Sequence, residues 1–146
     1  MVRPRAWLRG ATPPVPADAG QALVEFALVL PLLLVLVIAV FEFGRAWSAY
    51  QVITDAAREG ARNAVVVNPA IDSAYVVQRV RDALARASLD PDNASISISG
   101  FNERTGTPAM VTISYPYRFV LLGPLLGWAT DRSSITLSTS FVMRNE

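Results

Sequence analysis

Hydrophobic and polar positions divide this chain into three regimes. The first is an apolar block. Residues 26–41 are sixteen in a row with no charge and no hydrogen-bonding side chain, and counting back to Ala22 gives twenty interrupted only by Glu25. A helix rising about 1.5 Å per residue would cover roughly 30 Å over that length, the hydrocarbon thickness of a bilayer. In a chain of 146 residues, a helix apolar on every face would find too little protein to cover it, so the block predicts a membrane span rather than a soluble core helix.

The second regime has helical periodicity. Phe43, Trp47, Tyr50, Thr54, Ala57, Ala61 and Ala64 recur at three- and four-residue spacing, as one helical face does. No proline falls between residues 32 and 68. One helix is therefore expected over about 21–66: a transmembrane part at 21–43 and a projecting part at 44–66. Phe43, Trp47 and Tyr50 stand where interfacial aromatics belong. Pro31 lacks a backbone donor and should kink or loosen the helix locally, as a tolerated membrane proline or as a functional weak point.

The third regime mixes periods. "VNP" at 67–69 should end the long helix. Residues 71–88 read as a second helix capped by Asp72 or Ser73, with Val76, Val80, Ala83, Leu84 and Ala87 inward. "DPDN" then turns the chain. Strict alternation follows in three stretches, about 94–101, 109–119 and 134–144. Ile96 and Ile98 face inward in the first. Val111, Ile113, Tyr115, Tyr117 and Phe119 do so in the second, which Pro116 should bend. Ile135, Leu137, Thr139, Phe141 and Met143 do so in the third. A three-stranded antiparallel sheet with one apolar face needs helices to cover it, so the fold class is α+β.

One segment fits neither period. "VLLGPLLGWATD", residues 120–131, is apolar but punctuated by Gly123, Pro124 and Gly127. It reads as a loop, either folded over the sheet edge or offering Leu121, Leu122, Leu125, Leu126 and Trp128 as an apolar contact to a partner or to the outer membrane interface.

Charge sets the orientation. Arg3, Arg5 and Arg9 precede the span, whereas residues 42–56 hold only Arg45 as a basic residue. Positive charge resists translocation, so residues 1–20 should form a cytoplasmic leader and residues 44–146 an extracytoplasmic module. An ordinary secretory signal is a poor fit: the apolar block exceeds the usual h-region, and "EFGRAWSAY" offers no small-residue cleavage site. An uncleaved signal anchor is a stronger alternative.

Gly20 marks the boundary of leader and block, and Glu25 is the fifth residue after it. This arrangement resembles the type IV prepilin processing signal. More broadly, residues 20–66, with "GQALVEFAL", the proline in the span, "EFGR" and "AAREGAR", resemble the TadE-like family of pseudopilins of tight-adherence (Flp-type) pili. "VTISYPYRF", "LLGPLLG" and "ITLSTSFVMR" extend the likeness more weakly. The resemblance implies a pilin-like version of the α+β plan. It also implies cleavage by a membrane-embedded prepilin peptidase between Gly20 and Gln21, on the cytoplasmic side. The expected partners are the membrane, that peptidase, and other pilins or pilus-assembly proteins. The expected location is the inner membrane, single-pass, with the N-terminus inside. A carboxylate in lipid is costly unless paired. The α-amino group freed at Gln21 would lie about one turn from Glu25, which would also complement the helix dipole.

Beyond the span, "DAAREGARNA" is short of large side chains. Ala57, Gly60, Ala61 and Ala64 let another backbone come close, while Asp55, Arg58, Glu59 and Arg62 alternate in sign. The alanines are expected to pack on this protein's own sheet, and the charges to face water or a neighbour. The function expected is minor-pseudopilin assembly by helix packing; the alternative is an unprocessed anchored binding module. Catalysis is not expected. The chain has no Cys, His or Lys, which excludes disulfides, Cys/His zinc sites and the common nucleophile–base pairs, and neither cofactor nor metal is implied. The net charge of +1 and the arginines of the second helix, balanced by Asp82 and Asp90, make no nucleic-acid patch. "NAS" at 93–95 matches a glycosylation acceptor by chance.

Overall fold

The computed structural model describes residues 17–66, 71–130 and 133–145, with backbone alone for 17–19, 125 and 128–130. Most of the expected leader, and the "VNP" expected to stop the long helix, lie outside the described residues. The chain forms two compact units divided after Val37.

In the first unit the described residues belong to one helix, α1 (Ala17–Ala64), which continues into the second. The helix passes through Pro31 without interruption. Residues 20–37 are exposed throughout. The helix carries an 18-residue window of mean hydropathy 3.0, none of it buried. By length and composition the helix is able to cross a membrane.

The second unit holds the core. α1 is followed by α2 (Ser73–Arg86), β1 (Ser95–Ser99), β2 (Pro108–Arg118), α3 (Gly123–Thr130) and β3 (Ser134–Arg144). The expected α+β class is observed: a long helix, a second helix, and one antiparallel sheet in the order β1-β2-β3. Asp72 caps α2, its carboxylate accepting from the Tyr75 N–H at 2.6 Å. At the other end Ser88 takes a left-handed φ of 60°. The Ser88 and Leu89 N–H groups then reach back to the Ala85 and Leu84 carbonyls, each at 3.0 Å, so Ser88 does what glycine usually does at a helix stop.

Cross-strand rows follow the period-2 pattern. Ile98, Val111 and Phe141 lie side by side on the inner face, as do Ile96, Ile113 and Thr139. The opposite face carries the hydroxyl rows Ser95–Ser114–Ser138 and Ser97–Thr112–Ser140. β2 is the central strand, yet it holds Pro116. β1 begins opposite Ser114, so Pro116 lies where β2 is paired with β3 alone and a missing donor is tolerated. The inner face is covered by α2 through Val76, Val80 and Leu84 and by the outer half of α1, forming one hydrophobic core.

The segment expected as a loop is partly helical. α3 begins at Gly123, and the Leu126 N–H donates to the Leu122 carbonyl at 2.8 Å. Pro124 falls at the start of the helix, where its missing N–H would be unbonded anyway. The Gly–Pro pair is thus a helix start, not a helix breaker.

Candidate functional site

The residues expected for processing come first along the chain. Gly20, Gln21 and Glu25 are exposed on α1. A Cβ added at Gly20 would have no atom within 4 Å, so neither the helix nor its packing requires glycine there. Among the described residues Glu25 has no hydrogen-bond or ion-pair partner.

The outer half of α1 owes its position to small residues. Ala57, Ala61 and Ala64 are buried in the core. Gly60 marks a close approach: a Cβ there would stand 2.7 Å from Val80 Cγ2 of α2 and 3.3 Å from Val111 Cγ1 of β2. The charges of this stretch point outward into bonds with the same unit. Glu59 pairs with Arg79 at 3.1 Å and Arg86 at 3.7 Å, and the Arg58 guanidinium lies 5.2 Å from the centre of the Phe141 ring.

Phe43 and Trp47, expected as interfacial aromatics, are 69% and 54% exposed. The buried line runs instead through Glu42, Ala46, Ala49, Ile53, Ala56 and Gly60, again at three- and four-residue steps. Small residues let α1 approach the sheet, and bulky aromatics are displaced to its flank. Phe43 stacks with Trp47 at 6.4 Å between ring centroids, and Trp47 leans on Tyr50 at 5.9 Å.

Glu42 is the residue that sequence reasoning missed. Its side chain is fully buried. The Val120 N–H donates to its Oε2 at 2.9 Å and the Leu121 N–H to its Oε1 at 3.3 Å, while Arg45 Nη1 donates to Oε1 at 3.1 Å. A buried carboxylate is tolerated when its oxygens are bonded and a countercharge is near. The signal was present: Glu42 directly follows the apolar block and shares the stripe of Ala46, Ala49 and Ile53. Nearby, burial pushes the Tyr117 phenol above its ordinary pKa; Arg45 acts against this shift and Glu42 adds to it. The Tyr117 hydroxyl is buried and has no hydrogen-bond partner among the described residues.

Glu42, which bonds the 120–121 segment, also lines a groove of about 320 Å³ with almost wholly apolar walls, to which Ala39, Phe43, Trp47, Leu122, Ile135 and Leu137 contribute. Leu121 is 52% exposed, Leu122 and Leu126 are half-buried, and the side chains of Leu125 and Trp128 lie outside the described residues. No group of three or more His, Cys, Asp or Glu side chains gathers as a metal site among the described residues.

A protein-family model described as TadE-like protein matches residues 20–62. The N-terminal segment is TadE-like. The match opens on Gly20 and closes just past Gly60, taking in Glu25, Glu42 and Arg45. The TadE-like segment therefore includes both the bare half of α1 and the stripe that the module packs on. α2, the sheet and α3 lie beyond it, as do the weaker likenesses at 111–119, 121–127 and 135–144. No curated protein and no solved structure matches the chain. α1, which carries the matched residues, is long and apolar enough to cross a membrane by length and composition.

Proposed function

We propose that this protein is a minor pseudopilin that acts in assembly of a Flp/tight-adherence pilus through helix packing and protein contacts. In this reading residues 1–20 are a cytoplasmic leader, α1 crosses the inner membrane, and the α+β module stands outside. Prepilin peptidase cuts between Gly20 and Gln21, and Glu25 then pairs with the new amino group in the same subunit or a neighbour. The observation that carries the reading is that the TadE-like match begins on Gly20 and runs through the exposed apolar half of α1. Glu25 also fits: it is exposed and unpartnered among the described residues, as a carboxylate awaiting a cation would be.

The test is intact mass and N-terminal sequencing of protein taken from a membrane containing the cognate peptidase. The expected mature chain starts at Gln21. Gly20→Leu should leave an uncut chain that still folds, since the position has open space around it. Glu25→Ala should insert normally and impair pilus assembly. Unchanged piliation in that variant would contradict the role given to the carboxylate.

One observation favours a second reading, an unprocessed signal-anchored scaffold. α1 starts at Ala17, so the bond to be cut lies inside the helix and its first turn must open to be cleaved. A chain still starting at Met1 would make this the working model.

A further inference from the structure

We infer that the module has a second membrane contact: the apolar groove and the exposed 120–121 segment rest in the outer membrane–water interface, beside the point where α1 leaves the lipid. The inference depends on α1 being the membrane span. The occupant is argued from continuity. Ala39, which lines the groove, belongs to the sixteen-residue apolar block itself. Phe43 and Trp47 follow the last residue of that block by two and six positions, about 3 and 9 Å along a helix, which is the depth of the headgroup layer. Both are exposed and stacked on each other, and aromatic rings favour that layer.

The module contributes the other wall. Ile135, 43% exposed although on the inner parity of β3, lines the groove. Val120 and Leu121 are 57% and 52% exposed, at a point where Glu42 bonds both of their backbone N–H groups. A backbone whose donors are already satisfied can enter a layer poor in water at less cost. Arg45, half-exposed, and Arg118, exposed, line a neighbouring depression. They offer guanidinium groups at the level where lipid phosphates lie.

The chain contains no cysteine, so single nitroxide labels can be placed cleanly. Full-length protein would be reconstituted in phosphatidylethanolamine–phosphatidylglycerol vesicles. Labels at Val120→Cys and Leu121→Cys would be compared with Leu33→Cys in the span and Met110→Cys on the hydroxyl face of the sheet. Spin-label relaxation by oxygen and by a water-soluble nickel chelate reads the surroundings. The expected result is that positions 120 and 121 follow Leu33, with oxygen favoured and the chelate excluded, while 110 follows water. An aqueous signal at 120 and 121 with a lipid signal at 33 overturns the second contact and leaves the anchor intact. Shielding of 120 and 121 from both reagents means that protein covers the segment, and also overturns the inference. An aqueous signal at 33 removes the anchor reading on which it rests.

Discussion

At the scale of single residues, Glu42 carries the most consequence. An acidic side chain beside a long apolar block reads most simply as the place where the chain meets water. Here it is buried and accepts from two backbone donors and one guanidinium. Glu42→Ala would leave the Val120 and Leu121 N–H groups without their acceptor, at a cost of about 1–3 kcal/mol for each one that stays buried. We expect a loss of about 2–4 kcal/mol, measured by chemical denaturation in detergent. Glu42→Gln should lose less, because one oxygen acceptor remains. The sequence carried the stripe but not the bond. The partners of Glu42 are 78 and 79 positions away, and no local pattern announces a contact that distant. The Gly20–Glu25 spacing on which the proposed processing rests is different: it is read within one turn and a half and involves no distant contact.

Among the elements, α1 and the strands were readable because their periods extend over many residues. β2 alternates from Ala109 to Tyr117, and its neighbours keep the same parity in register. α3 was not readable. Its eight residues include two glycines and a proline, so propensity argued against a helix, and only position explains how the proline is accommodated. The same reasoning separates Gly60 from the alanines around it. The alanines fit a small space; Gly60 fits where a Cβ would meet the branched Val80 and Val111. Gly60→Ala gains up to about 1 kcal/mol in helix propensity. Overpacking against two stiff side chains costs about 1–3 kcal/mol. A net loss of about 1–2 kcal/mol is expected in the same denaturation assay, with α2 loosened first in hydrogen exchange.

At the scale of the whole molecule, the division after Val37 differs from the boundary drawn at the membrane surface. Residues 38–43 are apolar enough to read as the end of the span, yet Ala39, Glu42 and Phe43 belong to the module's own groove. A fragment starting at Ile38 should therefore melt higher and more cooperatively than one starting at Gly44, by an amount comparable with Glu42→Ala, as followed by circular dichroism. The smooth strip of small residues on α1 also has a mechanical consequence. A pull along the helix axis loads the strip in shear, and alanine and glycine offer few ridges to catch on. Glu42 bonds across that direction, from the helix to the chain just past β2. It acts as a detent on that strip: lengthwise slippage of α1 past the sheet must break those bonds together with the Glu59–Arg79 pair and lift Gly60 from its seat against Val80 and Val111.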